Sequence, residues 1–288
     1  MYNFVANKGS GKKRGEAYLK KITEYCDGKG IEYTVYETNA KCHATELTKE
    51  LCLSGADNVI AIGGDGTFHE ALNGLVTPET TTLGFIPAGR GNDFARASKL
   101  SSDPIEAFED ILRGDTKQID YIQCGDKKCL NVAGTGMDVD VLQAVINKKN
   151  TISYYVSLVK CLMKFKPYPM RIKINGEWIE KNIIMVGVGN GSAFGGGMNA
   201  FANAKIDDGK LDLMVVEKLK RGVMRLIPKF IKGKHDGVPE IAHYDVEEVE
   251  VDNGGIPIEL DGEIYDNIPL VCKIVKGGLR TYKVKEDY

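Results

Sequence analysis

The sequence predicts an α/β plus β protein of two domains, a parallel sheet flanked by helices over residues 1–124 and a β-sandwich over residues 125–288. Three observations carry that prediction. Short apolar runs of strand length alternate with helix-length segments through the first 124 residues, the pattern of a parallel sheet covered on both faces. Two glycine-rich loops, 63–66 and 87–93, directly follow two of those runs, and ligands of open α/β sheets bind at the carboxyl ends of strands. From about Gly125 strand-like segments dominate, and one of them turns on Asn175-Gly176, a pair suited to a type I′ hairpin. A chain of 288 residues is long enough for two such domains. The last strand is free to return to the first domain.

The elements follow in order. Residues 2–6 read as a first strand, closed by the basic, glycine-containing loop Asn7-Lys8-Gly9-Ser10-Gly11-Lys12. It is not a P-loop, because Ala6 stands where the first glycine is required and Lys13 where Ser or Thr is required. A helix to about Cys26, a strand over 33–36 and a helix over 44–53 lead to the apolar run 59–62, which suits a strand buried on both faces. Gly63-Gly64-Asp65-Gly66-Thr67 then opens a helix in which Thr67 and Glu70 have capping-box spacing and Gly74 is the stop. Gly63, Gly64 and Gly66 let backbone amides approach a phosphate chain, and the helix amino terminus adds favourable partial charge. Asp65 would repel polyphosphate unless a cation lay between, which suggests a magnesium ion shared with a nucleotide. A ligand-free Gly-Asp-Gly turn is the equal alternative at this level.

The strand 82–86 leads into the second loop, Pro87-Ala88-Gly89-Arg90-Gly91-Asn92-Asp93, where Asn92 or Asp93 can cap a short helix. Asp103-Pro104 opens another helix that Gly114 closes, and 117–124 reads as a strand. No Gly-x-Gly-x-x-Gly fingerprint occurs, which argues against an ordinary dinucleotide-binding domain. In the second half, strands are expected at 183–188, 211–216, 246–251, 256–260, 270–275 and 279–284, with helices at 152–164 and 222–232. Tyr154, Tyr155, Leu158, Val159 and Leu162 share one side of the first of these, near Lys160, Lys164 and Lys166. Spacing favours core packing there over a lipid-facing role.

Composition bounds the partners. The 43% hydrophobic and 27% charged content is that of a globular protein, and no stretch approaches the ~20 apolar residues of a membrane helix. The start has no basic-then-apolar signal pattern. Net charge of −2 says nothing about partners, and no nucleic-acid partner is expected. Lys8, Lys12, Lys13, Arg14, Lys20 and Lys21 cluster against one acid, Glu16, a pattern that is usually a solvated helix face. Seven scattered cysteines without a Cys-x-x-Cys pair indicate a reducing cytoplasm, and four histidines show no metal-ligand spacing.

With both loops in view, Gly63-Gly-Asp-Gly-Thr67 followed by Pro87-x-Gly-x-x-Asn92-Asp93-Phe94-x-Arg96 resembles the diacylglycerol kinase catalytic domain, and the whole chain resembles soluble bacterial diacylglycerol and lipid kinases. Leu260-Asp261-Gly262-Glu263 strengthens the likeness. The first motif is shared with NAD kinases and, in similar form, with phosphofructokinases; the second is more specific. The resemblance implies a Rossmann-like amino-terminal domain facing the β-sandwich across a cleft. It implies ATP contacts at Asn7, Gly9, Ser10, Gly11, Thr38, Gly63, Gly64, Asp65, Gly66, Thr67, Glu70, Gly89, Arg90, Asn92 and Asp93. Asp65 with magnesium, and Glu263 as the base for a lipid hydroxyl, would carry catalysis; by residue type alone Glu263 is an exposed turn residue. Asp208, with the carbonyls of Lys205 and Lys210, would hold a second magnesium ion, and a plain Asp-Asp-Gly turn is the other reading. Arg90 departs from the family's usual Thr.

The implied activity is transfer of the ATP γ-phosphate to a membrane lipid, diacylglycerol first, with phosphatidylglycerol or a sphingoid-like alcohol as other acceptors. An NAD kinase-like enzyme is the alternative, and a nucleotide-binding regulator without catalysis a third. A lipid kinase would sit peripherally on the anionic inner face of the membrane, where the basic groups 8–21 and 160–166 gain meaning. An edge strand of the second domain could pair across a two-fold axis to give a homodimer.

Overall fold

The computed structural model describes residues 1–145, 166–192, 195, 197–218, 228–229, 232–235 and 237–285. The chain divides into two compact units, Met1–Tyr121 with Gly195–Gly197 and Lys276–Tyr288, and Ile122–Phe194 with Met198–Val275.

In the first unit β1 (Tyr2–Ala6), β2 (Tyr33–Glu37), β3 (Asn58–Gly63) and β4 (Thr82–Pro87) form a parallel sheet in the order β2-β1-β3-β4. β3 and β4 are buried along their whole length, which is why both read as unbroken apolar runs rather than alternations. The register sets Ala6 beside Ile62 and Gly63 beside Pro87, so the loops after β1, β3 and β4 leave from one end of the sheet. Between the strands run α1 (Ser10–Lys29), α2 (His43–Leu53) and α3 (Asp65–Gly74), followed after β4 by α4 (Asp93–Ala97) and α5 (Pro104–Arg113). Phe4, Ile60, Ile62 and Ile86 of the sheet pack with Leu19 and Ile22 of α1 and Phe108 and Ile111 of α5. Each such side chain contributes about 1.5–3 kcal/mol on burial. α5 is built as its sequence reads: the Asp103 carboxylate accepts from the Ile105 amide at 2.8 Å, Pro104 occupies the first turn, and Gly114 ends the helix at φ 75°.

Three local expectations change. α1 runs to Lys29, three residues beyond the expected end, and is closed by Gly30 in the left-handed region. Its first residues are not helical: Gly11, Lys12 and Lys13 all have left-handed φ, so regular helix begins near Arg14. The expected capping box does not form. The Thr67 hydroxyl accepts from Asn7 Nδ2 at 3.3 Å, and the Glu70 carboxylate turns to α2, where it accepts from the amides of Cys42 at 2.9 Å and Ala44 at 3.2 Å. Gly74 does close α3, for a different reason: a Cβ there would stand 2.3 Å from the Thr45 carbonyl oxygen, so its absence lets α2 and α3 cross closely.

The second unit is an antiparallel β-sandwich. After β5 (Thr116–Cys124), through which the chain passes from the first unit, come β6 (Lys127–Cys129), β7 (Val132–Gly136), α6 (Met137–Val145), β8 (Tyr168–Ile174) and β9 (Glu177–Gly189). β10 (Leu211–Glu217), β11 (Ile241–Val246), β12 (Glu248–Asp252), β13 (Ile258–Leu260), β14 (Glu263–Tyr265) and β15 (Leu270–Tyr282) complete it. Its sheet has the path β14-β13-β7-β9-β8-β12-β15-β5-β6, with β10 and β11 branching from β9. Ile122 of β5, Leu213 of β10, Val246 of β11 and Leu260 of β13 nevertheless share one core cluster. Strands lie ~4.8 Å apart, so residues that many strands distant meet only because the sheet curls over itself. Asn175 and Gly176 at φ 52° and 86° make the expected type I′ turn between β8 and β9.

Two strand expectations are corrected, each by a slip in the inward-facing phase. Residues 246–251 are not one strand: Val246 ends β11 and Glu248 opens β12, and the interval from Val246 to Val249 breaks the two-residue period. Conversely 270–275 and the first part of 279–284 belong to one strand, β15, which ends at Tyr282, with Leu270, Cys272 and Ile274 inward before Gly277 and Leu279 and Thr281 inward after it. Gly277, at φ 57°, donates its amide to the Asp120 carboxylate at 2.7 Å and carries the slip. β6, β7, β14 and α6 escaped the sequence reading. The helix expected at 152–164 lies outside the described residues, as does nearly all of that at 222–232. No helix among the described residues is long and apolar enough to cross a membrane.

Candidate active site

Three loops of the first unit close on one another at the carboxyl ends of β1, β3 and β4. The Ala88 amide donates to the Gly63 carbonyl at 2.6 Å, and the Asn7 amide donates to the Ile62 carbonyl at 2.9 Å. A Cβ at Gly89 would stand 2.5 Å from the Gly64 Cα, and one at Gly11 would stand 2.0 Å from the Ala88 carbonyl oxygen. Glycine is therefore required at these positions by close approach of backbone to backbone, and at Gly11 also by a φ of 59°. Asn7 shapes its own loop, accepting from the Gly9 amide at 3.1 Å through Oδ1 and from the Ser10 amide at 3.1 Å through its carbonyl. Thr38, at the end of β2, is fixed to the same edge by its amide, which donates to the Ala6 carbonyl at 2.9 Å.

Asp65 occupies the start of α3, and its carboxylate holds the second loop. Its oxygens accept from the amides of Asn92 at 2.6 Å and Asp93 at 2.7 Å, so Asp65 caps α4 from another helix. The expected self-capping of α4 by Asn92 or Asp93 is absent; Asn92 lies at φ 51° and its Nδ2 donates to the Gly89 carbonyl at 3.3 Å. The Asn92 Oδ1 is buried and has no hydrogen-bond partner. Two arginines complete the frame. Arg14 donates to the carbonyls of Gly89 and Gly11, and Arg96 Nε donates to the Gly91 carbonyl at 2.8 Å. Beneath them Phe68 stacks on Phe85 at 4.5 Å and on Phe94 at 4.9 Å, which ties α3, β4 and α4 into one rigid floor.

Asn7, Gly9, Ser10, Gly11, Thr38, Gly63, Gly64, Asp65, Gly66, Thr67, Gly89, Asn92 and Asp93 thus lie on or beside these loops, with Glu70 one and a half turns along α3. Arg90 is exposed on the rim. Arg14 was missed as a site residue because it sits in a basic run that reads as a solvated face. The left-handed Lys12 and Lys13 before it are a structural signal of a constrained loop, invisible in residue type.

The remaining candidates lie in the second unit. Asp261 and Gly262, at φ 50° and 85°, make the turn between β13 and β14, and Glu263 opens β14 half-buried. The Asp261 carboxylate accepts from the amides of Leu130 at 2.7 Å, Asn131 at 2.8 Å and Val132 at 3.2 Å, and the Glu259 carboxylate accepts from the Gly262 amide at 2.8 Å. Glu263 therefore stands on a turn locked from both sides. Lys205, Asp208 and Lys210 are exposed; Asp208 Oδ1 accepts from the Lys210 amide at 3.1 Å, and the Lys210 ammonium pairs with Asp245 at 3.1 Å. Among the described residues no three His, Cys, Asp or Glu side chains gather as a metal site.

Residues 2–124 match the diacylglycerol kinase catalytic domain, and residues 131–283 match the YegS C-terminal NAD kinase beta sandwich-like domain. Diacylglycerol kinase of Bacillus subtilis (strain 168) is 28% identical over 273 residues, covering 92% of this chain and 90% of the relative. Two solved structures share the fold over 99% of this chain. A diacylglycerol kinase from Bacillus anthracis str. Sterne aligns at a TM-score of 0.76 and 23% identity over 97% of its length. An NAD kinase from Archaeoglobus fulgidus in complex with ATP aligns at a TM-score of 0.57 and 15% identity over 95% of its length.

Proposed function

The chain belongs to the diacylglycerol kinase family and is a lipid kinase, and from that premise we propose that it transfers the γ-phosphate of Mg-ATP to the hydroxyl of membrane diacylglycerol, giving phosphatidic acid. The observation that carries the reading is the closure of three glycine-containing loops on one sheet end, with contacts that a Cβ would forbid. Backbone amides with no side chains in front of them, next to a helix amino terminus, suit a polyphosphate.

Phosphoryl transfer asks mainly for placement and charge neutralisation. Magnesium, when bound, neutralises charge on the phosphate oxygens. Asp65 would hold it through the lone pairs that its two amide bonds leave. Arg90 contacts phosphate in place of the usual Thr hydroxyl. Glu263 takes the proton from the lipid hydroxyl as attack proceeds. Asp208 and the carbonyls of Lys205 and Lys210 would hold a second, structural magnesium ion. Peripheral association with the anionic inner face of the membrane rests on the exposed Lys12, Lys13 and Lys21, each adding on the order of 1 kcal/mol. Arg14 leaves that group, since its guanidinium binds the loops, and Lys8 pairs with Glu37 at 2.6 Å.

The test is an acceptor panel: labelled Mg-ATP with diacylglycerol, phosphatidylglycerol or NAD in mixed micelles. Label in phosphatidic acid is expected. Label confined to a phosphatidylglycerol product would replace the acceptor, and label in NADP or in no product would overturn the reading. Glu263→Gln should lower turnover about 100- to 10,000-fold with ATP affinity unchanged; near-normal turnover would remove Glu263 from the role of base.

A further inference from the structure

Asp212, His235 and His243 form a cluster in the second unit that phosphoryl transfer leaves unused. Asp212 stands on β10 and His243 on β11, where the antiparallel register sets His243 opposite Met214 and Asp245 opposite Asp212. Asp212 and His243 are therefore diagonal neighbours on one face of the sheet. His243 Nδ1 lies 2.7 Å from Asp212 Oδ1. An ionised carboxylate only accepts, so this contact keeps the proton on Nδ1 and leaves Nε2 of the neutral ring with its lone pair outward. That Nε2 faces the Nε2 of His235 at 3.1 Å, with the two rings 5.2 Å apart between centroids.

We propose that His235 and His243 hold a divalent metal ion of the zinc class through their two Nε2 atoms, with Asp212 orienting His243 from behind. Nitrogens bound to a tetrahedral ion at about 2.0–2.1 Å lie roughly 3.3 Å apart, so the pair needs to open by only a few tenths of an ångström. Imidazole nitrogen suits zinc, copper and nickel rather than magnesium, which separates this site from any oxygen-ligated ion at Asp208. A carboxylate on the far nitrogen of a metal-bound histidine fixes its tautomer and raises its basicity. The arrangement also serves Asp212, whose side chain is only 11% exposed and so gains from a cation held beyond His243. His235 is 2% exposed, while the His243 side chain is 27% exposed and opens the pair to solvent. No third His, Cys, Asp or Glu joins them among the described residues.

The test is calorimetric titration of the full chain with Zn2+. One equivalent is expected, abolished by His235→Ala and by His243→Ala, weakened about 10- to 100-fold by Asp212→Asn, and unchanged by His43→Ala. X-ray absorption of the zinc-loaded unmodified chain, which needs no variant to fold, is expected to show two imidazole nitrogens. Absence of zinc binding, binding that survives either His235→Ala or His243→Ala, or fewer than two imidazoles in the absorption spectrum would overturn the proposal.

Discussion

A carboxylate beside a phosphate chain needs a reason to be there, and the two amide bonds of Asp65 supply one that does not depend on any ion. Amide bonds to a charged acceptor contribute about 1.5–3 kcal/mol each. Asp65→Asn keeps one acceptor oxygen but points an amide donor at a backbone donor. The expected outcome is a loss of about 2 kcal/mol of unfolding free energy, read as a lower urea midpoint, together with a large loss of turnover; an unchanged midpoint would show that the carboxylate does not hold the loop. Asp138, at the start of α6, is a different case. Burial pushes its carboxyl up to about 7, against the bonds to its own and the Val139 amide that favour the charged form. The folded chain thus keeps this proton up to about pH 7, while the unfolded chain releases it near the ordinary value of 3.8. The contribution of Asp138 to stability is therefore fully present below about pH 4, falls as pH rises from about 4 to about 7, and changes no further above that. In Asp138→Asn the urea midpoint should lose this slope; parallel midpoint curves for the two chains would contradict the assignment.

α3 supplies a carboxylate at each side of itself, Asp65 to the start of α4 and Glu70 to the start of α2. Neither helix has a side-chain cap of its own, since Cys42 and Asn92 both lie in the left-handed region at their starts. Thr-x-x-Glu spacing predicts a local box, and tertiary contact overrides it, because the Glu70 carboxylate accepts from two amides at the start of α2 instead. Such a partner, 26 to 28 residues away, leaves no trace in the local sequence. Glu70→Ala should cost about 1–2 kcal/mol by urea unfolding and speed amide exchange at Cys42 and Ala44, and Glu70→Gln should recover part of both; slow exchange in Glu70→Ala would rule out the cap. Where α4 meets α3, Gly89→Ala would drive a methyl to within 2.5 Å of the Gly64 Cα. The loops must then separate, so KM for ATP should rise at least about tenfold with the KM for lipid little changed; an unaltered ATP KM would show that the close approach is dispensable.

Across the whole chain, strands buried on both faces and hairpins with asparagine-glycine turns were legible because burial and turn chemistry write themselves locally, as at 59–62 and 175–176. What stayed hidden depends on distant partners. β15 continues through Lys276-Gly277-Gly278 because Asp120 holds the Gly277 amide, and β6, β7 and β14 are too short to carry a period. In the candidate site the glycines and Asp65 stand out by type and Arg96 through the motif it closes, while Arg14 is recognisable only from the carbonyls it binds. The proposed activity, ATP-dependent phosphorylation of diacylglycerol, is tested by the initial rate at which the unmodified chain moves labelled γ-phosphate from Mg-ATP into phosphatidic acid. The rate should saturate with ATP, with one phosphatidic acid formed for each ADP released. ADP released without labelled lipid, or no ADP at all, would contradict it.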